Sequence, residues 1–260
     1  MDNTDASAVT AAARRLAAAW NGRTLLDELP PAERPATLDA AYAIQRRLQE
    51  ELGEAGAGWK IGGASVNGLR ASPSGQPVFG FLRGSCVHES GAVLDLPPGG
   101  VVLEVEIAVR FGSHVAPAST PFDPAMIDRA YVAIEVVRSR FRDRKAVGQP
   151  SFLADAAGFH AFVRGDELPG GSQSPAFGEA ATLSLDGVPI AGPLSGDDGT
   201  DPLAALRLFW DHAASQQLVV PAGAFVTTGT QTAPVDATRG GTYQGSIGGY
   251  VVRLQLREQP

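Results

Sequence analysis

A single cysteine, Cys86, is all the chain contains. That excludes an internal disulfide framework and a zinc cage built of thiolates, since each needs several thiols. Charge is sparse as well, at 19% Asp, Glu, Lys and Arg, and the 21 basic against 28 acidic residues leave a formal net charge of -7. A field of that sign argues against nucleic acid as a partner. No apolar run reaches the roughly 20 residues a membrane-spanning helix requires. The start, MDNTDASAVT, is polar and acidic and lacks the basic, then apolar, layout of a secretory signal. The expectation is a soluble, cytoplasmic protein of a reducing compartment, with neither nucleic acid nor membrane as partner. Missing too are a Gly-x4-Gly-Lys phosphate loop, a Gly-x-Ser-x-Gly nucleophile turn and a dinucleotide fingerprint after a strand. The four histidines show no metal-ligand spacing.

What is abundant is turn chemistry. There are 31 Gly and 19 Pro among 260 residues, beside 44% hydrophobic residues that suffice for a large core. This combination predicts many short strands, an α+β protein dominated by mixed or antiparallel sheet. The N-terminal portion, 1–57, reads as helical. Residues 8–20 are Ala-rich, and Thr37 caps a second helix whose stripe is Leu38, Ala41, Ile44, Leu48 and Leu52, closed by Gly53. From residue 58 to 260 the pattern is β-rich, with strands expected at 59–61, 93–96, 101–111, 131–137, 159–164, 181–185, 225–228 and 250–256. Asp186–Gly187 marks a hairpin turn. Asp123–Pro124 and Asp201–Pro202 each predict a capped helix start.

The chemistry is carried by acids inside apolar strands. In 101–109, Val-Val-Leu-Glu-Val-Glu-Ile-Ala-Val, a period of two puts Glu104 and Glu106 on one face and Leu103, Val105 and Ile107 on the other. Glu135 sits inside a second such run, 131–137. Buried carboxylates on neighbouring strands repel one another unless compensated, and a hard divalent cation prefers all-oxygen ligation. From spacing alone the commoner alternative stays open, that each acid faces solvent or pairs with Arg138, Arg140 or Lys60. Lys60, between Trp59 and Ile61, is either an anchor or proton carrier for an anionic substrate or an edge-strand lysine. The run 138–145 holds five basic residues in eight, and strand periodicity turns its even-numbered arginines away from the Glu135 face, toward solvent or a subunit contact.

Taken in order, Gly58-Trp-Lys-Ile-Gly62, Glu104-Val-Glu106-Ile-Ala108, Ala133-Ile-Glu-Val-Val-Arg-Ser-Arg140, Asp143, Leu153-Ala-Asp155-Ala-Ala157, Thr228-Gly-Thr230 and Gly248-Gly249 resemble a known group. It is the 2-keto-4-pentenoate hydratase and 2-oxo-3-hexenedioate decarboxylase group of the fumarylacetoacetate hydrolase superfamily. The resemblance implies a mixed β-sandwich roll with an N-terminal helical portion, and a Mg²⁺ or Mn²⁺ site held by Glu104, Glu106 and Glu135. It implies Lys60 and Asp155 as catalytic residues, and Gly62, Ser65 and Thr230 at the substrate. A small 2-oxo acid as substrate, a role in aromatic catabolism and a homo-oligomer follow from it as well. Hydration of a 2-hydroxy-2,4-dienoate is the first expectation, decarboxylation of a 2-oxo-3-enedioate the second and hydrolytic cleavage of an acylpyruvate the third, while a catalytically reduced partner subunit is the rival from another class. Three substitutions set this chain apart within the pattern, Ala64, Val78 and Ala156. Val78 stands where the hydratases commonly carry an acid, which favours the decarboxylase branch.

Overall fold

The structure is a computed structural model that describes residues 3–258. Two helices open it, α1 (Asn3–Gly22) and α2 (Leu38–Glu51), the second capped by the Thr37 hydroxyl accepting from the Ala40 N–H at 3.2 Å. Thirteen strands follow, interrupted by three short or medium helices. They are β1 (Gly56–Gly62), α3 (Val66–Ala71), β2 (Val78–Arg83), β3 (Val87–Glu89), β4 (Ala92–Leu96), β5 (Val101–Phe111) and β6 (Ile127–Val137). Then come α4 (Gly148–Ala154), β7 (Phe159–Leu168), β8 (Ala181–Leu185), β9 (Val188–Ala191) and α5 (Pro202–Ser215). The chain closes with β10 (Phe225–Thr230), β11 (Val235–Ala237), β12 (Gly241–Ile247) and β13 (Tyr250–Glu258).

The strands form two mixed sheets. The larger runs β2-β1-β10-β5-β6-β7-β3, with β11 also on β5, and the smaller runs β4-β13-β12-β8-β9. Most pairs are antiparallel, while β1–β10, β3–β7 and β4–β13 are parallel. The α+β expectation therefore holds, and so does the alternation read in β5. Its odd-numbered side chains, Leu103, Val105 and Ile107, are buried, with Val105 set against Gly245 of the second sheet. Farther along the larger sheet, α5 packs Phe209 on Trp59 and Trp210 on Phe111, with ring centroids 5.4 and 5.6 Å apart. One apolar core joins Leu16 of α1 and Ile44 and Leu48 of α2 to these strands. Gln45 of α2, itself buried, donates to the carbonyls of Phe79 and Leu153 and so ties β2 to α4.

One expected helix is corrected. After Asp123 the chain makes a single 3-10 turn, Pro124–Met126, because the Ile127–Val137 run that follows is strand from its first residue. The Asp186–Gly187 hairpin does form, with both residues at positive φ (51° and 81°), as a tight turn of this hand requires.

Candidate active site

The even-numbered face of β5 turns away from the second sheet and carries the acids. In the β5–β6 ladder Glu104 stands directly opposite Glu135, while Glu106 lies one side-chain step along the same face. One carboxylate oxygen from each of the three lies within 4.8 Å of the others. Glu106 and Glu135 are fully buried. Glu106 Oε2 accepts from the Gly229 N–H at 2.9 Å, whereas its Oε1 and both oxygens of Glu135 have no hydrogen-bond partner. Gly229 reaches it through an irregularity in β10, where pairing with β5 shifts between Thr227 and Thr230. At φ 95° that residue occupies a conformation glycine tolerates best.

Lys60 belongs to the same face, since β1 aligns it with Thr227, and β10 aligns Thr227 with Ala108. Its side chain is 4% exposed, and Nζ lies 2.6 Å from Glu135 Oε1, a contact of opposite charges whose angles fall outside a regular hydrogen bond. Burial pulls the Lys60 ammonium down, but Glu135, Glu104 and Glu106 outweigh it and hold it above its ordinary value. Burial, with repulsion from Glu135 and Glu104, pushes Glu106 well above the usual carboxylate range. Glu135 is raised by burial against the pull of Lys60. Three carboxylates against one ammonium leave two uncompensated negative charges when all are ionised. Orphaned oxygens, burial and this residual charge suit a hard divalent cation, so the donor set fits Mg²⁺ or Mn²⁺.

Lys60 Nζ also donates to the Ala157 carbonyl at 3.4 Å. That carbonyl belongs to a turn in which Ala156, Ala157 and Gly158 all have positive φ (49°, 50° and 73°), a conformation that costs each alanine on the order of 1 kcal/mol or more. The turn lies against Gly80, where an added Cβ would come 2.2 Å from the Ala156 carbonyl oxygen. Asp155 begins it and is fully buried. Its Oδ2 accepts from Ser139 Oγ (2.7 Å) and the Arg140 N–H (2.8 Å), and its Oδ1 from Arg140 Nε (2.5 Å). Arg140 donates further to the Asp155 and Phe159 carbonyls and stacks its guanidinium 4.0 Å from the Trp20 ring centroid. Arg140 thus departs from the solvated arginine stripe that strand periodicity predicted. The strand stops at Val137, so the alternation does not continue through the run.

A cavity of about 940 Å³ opens above the carboxylates. Lys60, Gly62, Ser65, Glu104 and Thr230 line it, so five residues singled out in the sequence meet there. Glu106 and Glu135 lie beside it, buried, and Asp155 is not among its lining residues. Ser65 Oγ caps α3 by accepting from Gly68 N–H (3.1 Å), and Thr230 Oγ1 donates to the Thr232 carbonyl (2.7 Å). Three site features escaped sequence reading, namely the Gly229 N–H, the Ala157 carbonyl and the presence of Arg144 and Lys145 on the cavity wall. The first two are backbone groups with no residue-type signal beyond the glycine of Thr228-Gly-Thr230.

Comparison with known proteins follows the same line. No family model matches the chain. A 2-hydroxyhexa-2,4-dienoate hydratase of Comamonas testosteroni is 27% identical over 221 residues, covering 82% of this chain and 83% of the relative. The 4-oxalocrotonate decarboxylase of Pseudomonas putida G7, solved with magnesium and adipate, superposes with a TM-score of 0.82 at 22% identity, covering 96% of this chain and 97% of that one. A fumarylpyruvate hydrolase of Pseudomonas aeruginosa, solved with Mn²⁺ and pyruvate, gives a TM-score of 0.53 at 17% identity over 77% of this chain and 89% of that one. The chain thus has the fold of the fumarylacetoacetate hydrolase superfamily, and its sequence resembles the hydratase and decarboxylase group within it.

Proposed function

We propose that this chain is a divalent-metal-dependent lyase that hydrates a 2-hydroxy-2,4-dienoate, or its 2-oxo-enoate tautomer, to a 4-hydroxy-2-oxo acid. The observation that carries the reading is the convergence of Glu104, Glu106 and Glu135 beside Lys60 at the base of a roomy cavity. The similarity to a protein named as a dienoate hydratase supports it, as do fold neighbours solved with magnesium or manganese. The same resemblance supports a cytoplasmic homo-oligomer acting in aromatic catabolism.

Glu104, Glu106 and Glu135 would hold the cation. When bound, it supplies a doubly positive centre that suits the carboxylate and 2-oxo oxygens of a 2-oxo acid and withdraws electrons from the carbonyl. Lys60 carries a proton at Nζ, kept there by the carboxylates around it, and can exchange it with the substrate's carbon chain. Over the reaction the enol proton leaves O2, C5 gains a proton, and water adds its oxygen to C4 while C3 gains the remaining proton. Gly62 leaves room beside Lys60, and Ser65 and Thr230 offer hydroxyls on the wall. Asp155, engaged on both oxygens, acts as a positioning residue. With Arg140 it holds the left-handed turn whose Ala157 carbonyl orients Lys60.

A second reading, decarboxylation of a 2-oxo-3-enedioate on the same groups, is favoured by Val78. This valine lines the cavity and leaves no acid there to handle the protons of water. The purified protein, offered a dienoate and an enedioate with Mg²⁺ or Mn²⁺, is expected to bleach the dienoate without releasing CO₂. CO₂ from the enedioate would select the second reading. Inertness toward both substrates with both metals would sink the lyase reading.

A further inference from the structure

Arg138 opens the basic run at 138–145 and lines a second cavity, of about 630 Å³, that shares no lining residue with the one above the carboxylates. Four guanidinium groups stand on its wall, those of Arg23, Arg83, Arg138 and Arg257, and Asp95 is the one carboxylate among its lining residues. Asp95 Oδ1 lies 2.6 Å from Arg257, and its Oδ2 lies 3.9 Å from Arg23, at the edge of ion-pair reach. Glu54, which is not on the wall, holds Arg83 at 2.6 Å. Half-buried Arg138 has no carboxylate within the 4.0 Å of an ion pair among the described residues, and its guanidinium donates to the Pro98 carbonyl at 3.2 Å. Two carboxylates thus face four guanidinium groups, and two positive charges are left over in a protein of net charge -7. Burial and the like charge of Arg140 hold Arg138 below its ordinary value. His160, on the same wall, is pushed down to about 3 by burial and by Arg140, Arg138 and Arg23, so at pH 7 it is neutral and offers a ring N–H.

Arg23 directly follows α1 at φ 51°, a left-handed position that glycine usually fills. Keeping a side chain there costs on the order of 1 kcal/mol. What that strain secures is one more guanidinium on the cavity wall. Guanidinium forks match the oxygens of a phosphate in pairs, and partial burial strengthens the attraction because water screens it less. We propose that Arg138 and Arg23, with Arg83, Arg257 and the His160 N–H around them, form a binding site for a phosphate dianion, free or carried as the monoester of a small molecule. None of these groups takes part in the lyase reaction proposed above. The two sites are nonetheless back to back, since the Arg138 backbone N–H donates to the Gly158 carbonyl at 2.8 Å, in the turn that carries Ala157.

Titration calorimetry of the Mg²⁺-loaded protein with inorganic phosphate tests this. Binding is expected, and Glu106→Gln, altered in the carboxylate cluster, should retain that phosphate site within about twofold. Arg138→Gln should weaken it about tenfold or more and Arg23→Gly about threefold or more, each losing a charge-assisted bond. Glycine suits the left-handed φ at position 23, so Arg23→Gly should melt no lower than the parent, which separates lost binding from lost fold. Glycerol 3-phosphate distinguishes the two sources of the dianion. Tighter binding than inorganic phosphate assigns the site to a monoester, and equal or weaker binding assigns it to free phosphate. Absence of phosphate binding, its loss in Glu106→Gln, or an unchanged affinity in either arginine variant overturns the proposal.

Discussion

Lys60 and Glu135 meet at 2.6 Å although their strands, β1 and β6, are separated by β10 and β5 in the sheet. Three ladder spacings of about 4.8 Å must be bridged, so two long side chains and the curl of the sheet combine to close the gap. Among the described residues, Lys60 is the one positively charged side chain paired with the carboxylate cluster.

Glu106→Gln is the direct consequence. The substitution keeps the shape but removes a ligand charge, and Mn²⁺ affinity should fall by about a hundredfold or more by titration calorimetry, with turnover lost alongside. Because burial already holds Glu106 well above the usual carboxylate range without metal, the metal-free variant should melt no lower than the parent. Retained metal affinity would argue that these acids are not ligands.

The effect of pH on the same cluster has a definite sign. Glu106 and Glu135 have folded values above their unfolded ones, so their contribution to the stability of metal-free protein is present below the ordinary value of 4.5 and is lost as pH rises through the raised values. A cation bound to the ionised acids acts the other way. The difference in melting temperature between Mn²⁺-loaded and chelator-treated protein should widen from about pH 5 to about pH 8. A constant difference would contradict it.

Asp155→Asn separates positioning from metal binding. It leaves Arg140 buried without its counter-charge, a change that costs about 3 kcal/mol or more in comparable buried pairs. Denaturant unfolding should register that loss, and the turnover number should drop as the 155–158 turn loosens under Lys60, while Mn²⁺ affinity stays within about threefold of the parent. Metal affinity falling in parallel with turnover would place Asp155 in the metal centre instead.

His212 supplies a pH effect remote from the site. Its ring lies 4.2 Å from Phe79 and 4.5 Å from Tyr42, centroid to centroid, and burial pushes its pKa down to about 4. A base whose folded value is depressed takes up its proton more readily when unfolded, so stability falls as pH drops from the ordinary 6.5 toward 4. His212→Phe preserves the stack and should abolish about 3 kcal/mol of that decline. Urea unfolding at several pH values checks this, and an unchanged slope would dismiss the assignment.

Much of this was visible in the residues, and the rest was hidden for reasons that can be named. The β5 alternation and the Thr37 and Asp201 caps are local rules, and each appears as read, with Asp201 Oδ1 accepting from the Leu203 and Ala204 N–H groups. Asp123–Pro124 obeys the same capping rule, yet the β-branched and aromatic run behind it wins, and only a turn forms. β2, Val78–Arg83, lacked alternation because its residues pack on both faces, and β12 carries too many small residues to announce itself. In the site, type and spacing pointed to the three glutamates, but their register across β5 and β6 is a property of pairing and cannot be read from either segment alone. Arg140, expected in a solvated stripe, is instead buried on Asp155, since a buried ion pair between separate segments looks in sequence like an exposed base and an unrelated acid.

Trp20 sits near the end of the first helix, and its indole covers the guanidinium of Arg140. The first helix therefore helps to bury the Arg140–Asp155 ion pair, which begins the turn whose Ala157 carbonyl accepts from Lys60. A single exchange of Trp20 would loosen the support of that turn without replacing any residue that lines the cavity above the carboxylates. On the proposed function, turnover should therefore respond to exchange of Trp20, a residue that does not line that cavity.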